Sequence, residues 1–147
     1  MSPCFIINAR NERVVLIVQV LKDELRHKIL LESEHLFLQR GYDRTSLQMI
    51  ADKVNISKSN LYHYFKNKEE LFYELTDSAA DGLKRMILRF RSMRFDLNMD
   101  AQEFRMLLTE EVLSLLLAEK YGLLLIMEQA NGTRYENLRP VMIELIA

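Results

Sequence analysis

The stretch GYDRTSLQMIADKVNISKSNLYHYFKNKEELFYEL, residues 41–75, decides the fold of this 147-residue chain. Its apolar spacing predicts two short helices, over 46–54 and 58–65, joined by a three-residue turn. A longer amphipathic helix is expected before them, over 22–40, and Gly41 ends it because glycine readily adopts the left-handed conformation. Two short helices that follow a longer one in this way form a helix-turn-helix.

Polar residues at the predicted helix boundaries support this division. Thr45 and Gln48, three residues apart, form a capping box that starts the first short helix. Asn55 lies in the turn, where a positive φ is needed and asparagine is a tolerable substitute for glycine. Ser57 is expected to cap the second short helix and Asn67 the long helix that follows.

The exposed side of the second short helix carries donors, acceptors and flat aromatic rings, and no carboxylate. Ser57 begins this set, and its other members are Lys58, Ser59, Asn60, Tyr62, His63 and Tyr64. Residues 40–68 carry six lysines or arginines against two aspartates, although the whole chain has a net charge of −1. This helix face therefore suits phosphates and base edges in a DNA major groove.

At these residues the chain resembles the tetracycline-repressor (TetR/AcrR) family of transcriptional regulators. The matching elements are Leu-Tyr at 61–62, Tyr-Phe at 64–65 and Lys-Glu-Glu-Leu at 68–71, in order and at the family's intervals. The resemblance covers about 26–75. It implies that Thr45 contacts a phosphate and Lys68 clamps the DNA backbone. It also implies base contacts by Lys58, Ser59 and Asn60, and mixed phosphate and base contacts by Tyr62, His63 and Tyr64.

The whole chain is predicted to be all-α, with a three-helix head joined by a long helix to a helical regulatory and dimerisation module. We divide it into an N-terminal extension (1–21), a helix-turn-helix DNA-binding domain (22–66) and the module (67–147). The extension reads equally as a strand-like arm, an extra helical turn or a floppy segment. Because family members continue for further helices that build a dimer interface, we expect the module to be incomplete relative to the family.

Other function classes lack support in the sequence. Cys4 is the only cysteine, and no His, Cys, Asp and Glu cluster has metal-ligand spacing. No glycine-rich phosphate loop or recognisable nucleophile turn occurs, so neither an enzyme nor a cofactor is expected. The apolar run 14–21 is far shorter than a membrane span, and no signal peptide is recognisable. We therefore expect a cytoplasmic protein without a membrane partner.

Two functional hypotheses remain. The first is a ligand-responsive repressor that binds a palindromic operator in double-stranded DNA as a homodimer. By family analogy, its module would contain an apolar pocket for a small apolar effector, and Met106, Met127 and Met142 would suit such an adaptable pocket. The alternative is an effector-independent DNA-binding protein with the same head, controlled by a protein partner.

Overall fold

A computed structural model of the chain describes residues 9–93 and 100–140. These residues form five α-helices and contain no β-strand, so the predicted all-α class is confirmed. The helices are α1 (Ala9–Arg40), α2 (Leu47–Val54), α3 (Lys58–Tyr62), α4 (Lys68–Met93) and α5 (Ala101–Glu128). Within the same ranges, no helix is long and apolar enough to cross a membrane.

Helix α1 is longer than the sequence indicated, because it begins at Ala9 and not near Lys22. The apolar stripe that predicted the helix begins at Leu25, where the side chains start to pack against the head. Upstream of that point the apolar side chains from Val14 to Leu21 lie exposed, so no single face is buried and no helical periodicity marks the segment. Of the three interpretations of the extension, residues 9–21 thus adopt the helical one, and residues 1–8 lie outside the described part.

The head has an apolar core where α1, α2, α3 and the start of α4 meet, and Leu125 of α5 and Ala130 pack into the same core. Ile29 and Phe37 of α1, Leu61 of α3 and Phe72 of α4 are completely buried within it. The ring of Phe72 packs edge-on against that of Phe37, with the centroids 5.3 Å apart. This packing fixes α3 against the rest of the head and leaves its opposite face outside.

The predicted boundaries of the short helices are right with two corrections. The N-cap of α2 is Ser46, whose hydroxyl accepts from the Met49 backbone N–H, and not Thr45. Thr45 is buried and donates its hydroxyl to the Gly41 carbonyl, and Gln48 binds Asp52 instead of closing a capping box. Helix α3 ends at Tyr62, earlier than the predicted residue 65, because tighter turn bonds follow it.

Two other predicted helix ends, at Gly41 and Asn67, are confirmed. Gly41, with φ +88°, follows the end of α1. The Asn67 side chain accepts from the Glu70 backbone N–H at the start of α4. The Asp100 carboxylate accepts from the second and third residues of α5. Residues 94–99 and 141–147 lie outside the described part of the chain.

Helices α4 and α5 pack against each other over much of their length. Gly122 allows their closest approach, since a Cβ there would lie 2.8 Å from the Ala79 Cβ and 3.0 Å from the Leu75 carbonyl oxygen. Helix α5 bends at Glu119, where the backbone is not helical. After the bend the apolar run 121–130 contributes buried side chains such as Leu125, which pack inside the helical bundle.

Candidate nucleic-acid interface

Helices α2 and α3 are joined by the tight turn that the sequence predicted. Asn55 has φ 64° and ψ 47°, in the left-handed region, and its N–H returns to the end of α2. Ile56 then donates its N–H to the Ala51 carbonyl, 3.0 Å away. The Ser57 hydroxyl accepts from the Asn60 N–H at 3.1 Å and so starts α3. This geometry aligns α3 across the end of α2, as a helix-turn-helix requires.

The outer face of α3 is open to solvent. Among the predicted site residues, Ser57, Lys58, Ser59, Tyr62 and His63 are exposed, and Asn60 and Tyr64 are half-buried. The structure brings these seven together on one short helix and the turn after it. Leu61, on the opposite face of α3, is fully buried. It anchors α3 to the core and so holds the exposed face in place. The sequence prediction of which side faces outward therefore agrees with the structure.

Charge and aromatic surface coincide on this face. The Lys58 ammonium lies 5.9 Å from the centroid of the Tyr62 ring, one helical turn away. A cation over a ring at this distance is weakly attracted to it, which favours an ordered lysine side chain. Asp52, the acidic residue on α2, is hydrogen-bonded by Gln48. The face thus presents a lysine that pairs with no carboxylate in the described part of the chain, beside neutral polar groups, and this combination suits an anionic polymer.

Thr45 and Lys68, the two predicted phosphate anchors, lie outside α3 and are less accessible than most of the other seven residues. Thr45 is only 2% exposed, and its hydroxyl donates to main-chain carbonyls of Gly41 at 2.8 Å and Leu36 at 3.3 Å. Its one hydroxyl hydrogen is thus already used inside the head. The side chain connects the end of α1 to the start of α2, which is a positioning role.

Lys68 is half-buried at the start of α4 and has partners within the head. Its ammonium donates to the Tyr42 carbonyl at 2.7 Å and lies 4.0 Å above the Tyr42 ring. Burial lowers the pKa of Lys68 below its ordinary value, and the charge of Asp43 opposes this shift. An ammonium has three donors, so these contacts leave hydrogens for another acceptor.

Tyr42 is a residue whose importance the sequence reasoning missed. It forms part of the Gly-Tyr pair in the quoted motif, yet nothing in the pattern assigned it a role. In the structure it is buried between α1 and α4, and both its main chain and its ring contact Lys68. Two of the residues that bind the Tyr42 main chain lie far away in the sequence, so spacing could not reveal its role. Only its place in the Gly-Tyr pair of the motif could have drawn attention to it.

A cavity of about 400 Å³ lies between α4 and α5. Charged side chains line much of it, so its lining differs from the apolar pocket expected for an effector. None of the three methionines assigned to that pocket lines this cavity, since Met106 is largely exposed, Met127 is half-buried elsewhere and Met142 lies outside the described residues. No group of three His, Cys, Asp or Glu within 9–93 and 100–140 could hold a metal ion.

The geometry defines the class of this domain: it is a helix-turn-helix with an exposed second helix. A family model described as "Bacterial regulatory proteins, tetR family" matches residues 29–75, which span most of the head. In this domain the chain is similar to the tetR family, a family of DNA-binding regulators. The resemblance inferred from the motif is thereby confirmed.

Two curated relatives match the same part of the chain. The biofilm operon icaADBC negative transcriptional regulator IcaR of Staphylococcus epidermidis is 34% identical over 65 residues, which are 44% of this chain and 35% of that protein. The transcriptional activator FasR of Mycolicibacterium smegmatis is 34% identical over 62 residues, 42% of this chain and 28% of FasR. The matches thus span about a third of the length of these relatives.

Two solved structures extend the likeness beyond the head. NalD, the secondary repressor of the MexAB-OprM multidrug efflux pump in Pseudomonas aeruginosa, superposes with a TM-score of 0.51 at 25% identity, over 84% of this chain and 60% of NalD. The probable transcriptional regulatory protein RHA5900 gives a TM-score of 0.57 at 21% identity, over 81% of this chain and 63% of that one. The latter likeness supports the fold alone.

Proposed function

We propose that this protein is a transcriptional regulator that binds a palindromic DNA operator through α3 and acts as a ligand-responsive repressor. The observation that carries the proposal is the solvent-exposed face of α3, with its lysine, amide, hydroxyl and aromatic groups, on a helix fixed by its buried Leu61. The match of the head to a family of DNA-binding regulators supports it. A bound repressor then blocks transcription by occupying the operator.

In this proposal the nine predicted site residues divide into three groups. Lys58, Ser59 and Asn60 lie at the start of α3, whose first residues point toward base edges in helix-turn-helix complexes. Ser57, Tyr62, His63 and Tyr64 supply phosphate and further base contacts around them. Thr45 and Lys68 position the surrounding backbone, and Lys68 also offers its remaining hydrogens to a phosphate.

The proposal also includes a homodimer. One head covers a single half-site, and two heads related by a two-fold axis read half-sites one helical turn or a multiple of it apart. We assign residues 22–66 to the DNA-binding domain and 67–147 to a regulatory and dimerisation module in a cytoplasmic protein. The cavity between α4 and α5 has the size of a small-molecule site and is the place where we would first look for an effector.

A selection from random DNA duplexes tests the proposal directly. We expect the chain to enrich a palindrome whose half-sites keep a fixed spacing. Against the enriched duplex, Lys58→Ala should weaken binding and lower the salt slope by about one unit, because one phosphate contact is lost. Asn60→Ala should instead change the preferred base at one position of each half-site.

Lys84→Ala is the matched control for Lys58→Ala. Lys84 is also exposed, but it lies in the middle of α4 and outside the head. We expect the control to bind the duplex as the unaltered chain does. No enrichment of any duplex, or equal losses in both lysine variants, would contradict the assignment of α3 as the DNA-reading helix.

A further inference from the structure

We infer that Tyr42 transmits the position of the end of α5 to the DNA-contacting part of the head, and that Arg134 keeps this connection in its DNA-binding arrangement. The inference rests on the proposed function, because it concerns how the same DNA-binding surface is regulated. It identifies Tyr42 and Arg134 as positioning residues, since neither lies on the exposed face of α3.

The main chain of Tyr42 contacts three parts of the molecule. Its N–H donates to the carbonyl of Gln129, just after α5, at 3.1 Å. Its own carbonyl accepts from the Lys68 ammonium at 2.7 Å and from the Thr45 N–H at 3.3 Å. One residue therefore connects the end of α5 with the starts of α2 and α4. The residues on its head side, Thr45 and Lys68, are the two for which the family resemblance implied a phosphate contact alone.

The Tyr42 ring makes this connection stiff. It is 7% exposed and packs against Phe72 and Phe37, with centroids 5.0 Å and 5.8 Å away. The Lys68 ammonium lies 4.0 Å above the same ring. In a close-packed cluster of this kind a displacement at one side is passed on and not absorbed. A shift of Gln129 therefore displaces Tyr42, and Lys68 moves with it.

The segment after α5 is itself fixed by local bonds. Ala130 and Thr133 are buried, and Thr133 donates both its N–H and its hydroxyl to the Ala130 carbonyl. The Thr133 hydroxyl oxygen in turn accepts from the Tyr135 N–H. The turn from Gln129 to Tyr135 thus behaves as one unit, so an anchor at its far end determines where the Gln129 carbonyl lies.

Arg134 provides that anchor on α4. Its guanidinium pairs with Asp77, donates to the Tyr135 hydroxyl at 2.7 Å and stacks 3.9 Å above the Tyr73 ring. The Tyr135 hydroxyl donates to the same Asp77 carboxylate at 2.6 Å. The Arg134 N–H adds a bond to the Tyr73 hydroxyl at 3.3 Å. Such a network exceeds an isolated surface ion pair, because it combines charge, stacking and several hydrogen bonds.

The consequence for DNA binding has a definite sign. With the turn anchored, the head is preorganised and Lys68 stays beside Tyr42 at the start of α4. Without the anchor the same arrangement must be ordered when DNA binds, and this ordering lowers the affinity. An effector that moved α5 would act on the head through the same contacts.

Arg134→Ala, with Arg139→Ala as the matched control, tests the inference in the full chain. Both arginines pair with a carboxylate and have nearly equal side-chain exposures of 51% and 53%, but Arg139 pairs with Glu128 of α5 and not with α4. With the duplex enriched in the selection, we expect Arg134→Ala to bind about threefold to tenfold more weakly. Arg139→Ala should bind normally. Equal losses in the two variants would overturn the inference.

A double-mutant cycle with Lys68→Met separates positioning from general loosening. If Arg134 acts through Lys68, Arg134→Ala should have almost no further effect in the Lys68→Met background, and it should lower the salt slope only when Lys68 is present. Additive losses would overturn the inference. Tyr135→Phe is a milder second variant that removes only a hydroxyl, and we expect a smaller loss in the same direction; unchanged binding would count against the anchor.

The experiments distinguish failure of the proposed function from failure of this inference alone. If the unaltered chain enriches no duplex and binds none, the proposed function fails and the inference fails with it. If the unaltered chain binds its duplex and Arg134→Ala binds equally well, only the inference fails.

Discussion

The head and helix α5 are both rich in apolar side chains, but they use them differently. In the head, Leu61 and Phe65 are almost completely buried, and most of the exposed side chains are polar. On α5, Leu113, Leu117 and Tyr121 follow one another at helical spacing and are 53%, 77% and 51% exposed. The difference shows that the apolar residues of the head stabilise the fold of the single chain, whereas this face of α5 does not.

Two leucine substitutions, one in the head and one on α5, should differ most in their effect on the free energy of unfolding. Leu61→Ala opens a cavity in the core of the head, and we expect the free energy of unfolding to fall by about 3 kcal/mol. Leu117→Ala removes an exposed side chain and should change it by less than about 0.5 kcal/mol. Urea unfolding followed by circular dichroism measures both. Similar losses would mean that Leu117 is covered in solution, and the comparison would no longer hold for a single chain.

Glycines at the contact between α4 and α5 give the next largest effect. At Gly122 a Cβ would meet the Ala79 Cβ and a main-chain oxygen, which cannot move aside, so Gly122→Ala should lower the unfolding free energy by about 1–2 kcal/mol. At Gly82 it would meet the Leu115 Cδ1, the end of a flexible side chain. Gly82→Ala, the matched control, should be close to neutral, since alanine also favours the helix. Thermal unfolding of both variants measures the difference. An equal loss of unfolding free energy in Gly82→Ala would mean that the rigid main-chain contact at Gly122 is not the cause.

The sequence predicted the head well because its signals are local. Asn55 and Ser57 each satisfy a backbone requirement within a few residues, so their roles could be inferred from spacing and residue type. Thr45 and Ser46 show the limit of this reasoning. Both can cap a helix, and only the tertiary contact of the Thr45 hydroxyl with the Leu36 and Gly41 carbonyls determines which of them does.

Features that depend on distant parts of the chain could not be predicted in this way. The role of Tyr42 depends on Gln129, which lies 87 residues later and reaches it through a main-chain bond that no side-chain pattern records. The helical state of residues 9–21 was undecided because the side chains of residues 13–21 are all exposed, so the usual amphipathic signal is lacking. The site surface on α3 was predicted because its exposed face follows from the burial of Leu61.

A substitution in the turn between α2 and α3 should have a smaller effect on the head. Asn55 has a positive φ, which costs an alanine about 1 kcal/mol more than a glycine. We expect Asn55→Ala to lower the unfolding free energy by about that amount and Asn55→Gly to match or exceed the unaltered chain. Chemical unfolding measures both variants. If glycine were as harmful as alanine, the Asn55 side chain and not its backbone angle would be what stabilises the turn.

Lys68 begins α4, where the head meets the rest of the chain. It should give the smallest effect, a change in how the free energy of unfolding depends on pH. Burial lowers its pKa in the folded chain below the ordinary 10.5 of the unfolded chain. Between these two pKa values the unfolded chain binds more protons, so the free energy of unfolding should rise with pH through that window. Below the folded pKa the cost of burying the charge is fully present, and above 10.5 it is absent.

Lys68→Arg is the control for this effect, because arginine stays protonated throughout the window. Unfolding free energies measured across the alkaline range should therefore rise more steeply with pH for the unaltered chain than for Lys68→Arg. DNA binding should change in the opposite direction, since a neutral Lys68 no longer attracts a phosphate, and only the unaltered chain should show this loss through Lys68. Parallel stability curves for the two proteins would mean that the ammonium is solvated and not buried against Tyr42, which would also remove the head-side contact on which the connection to α5 depends.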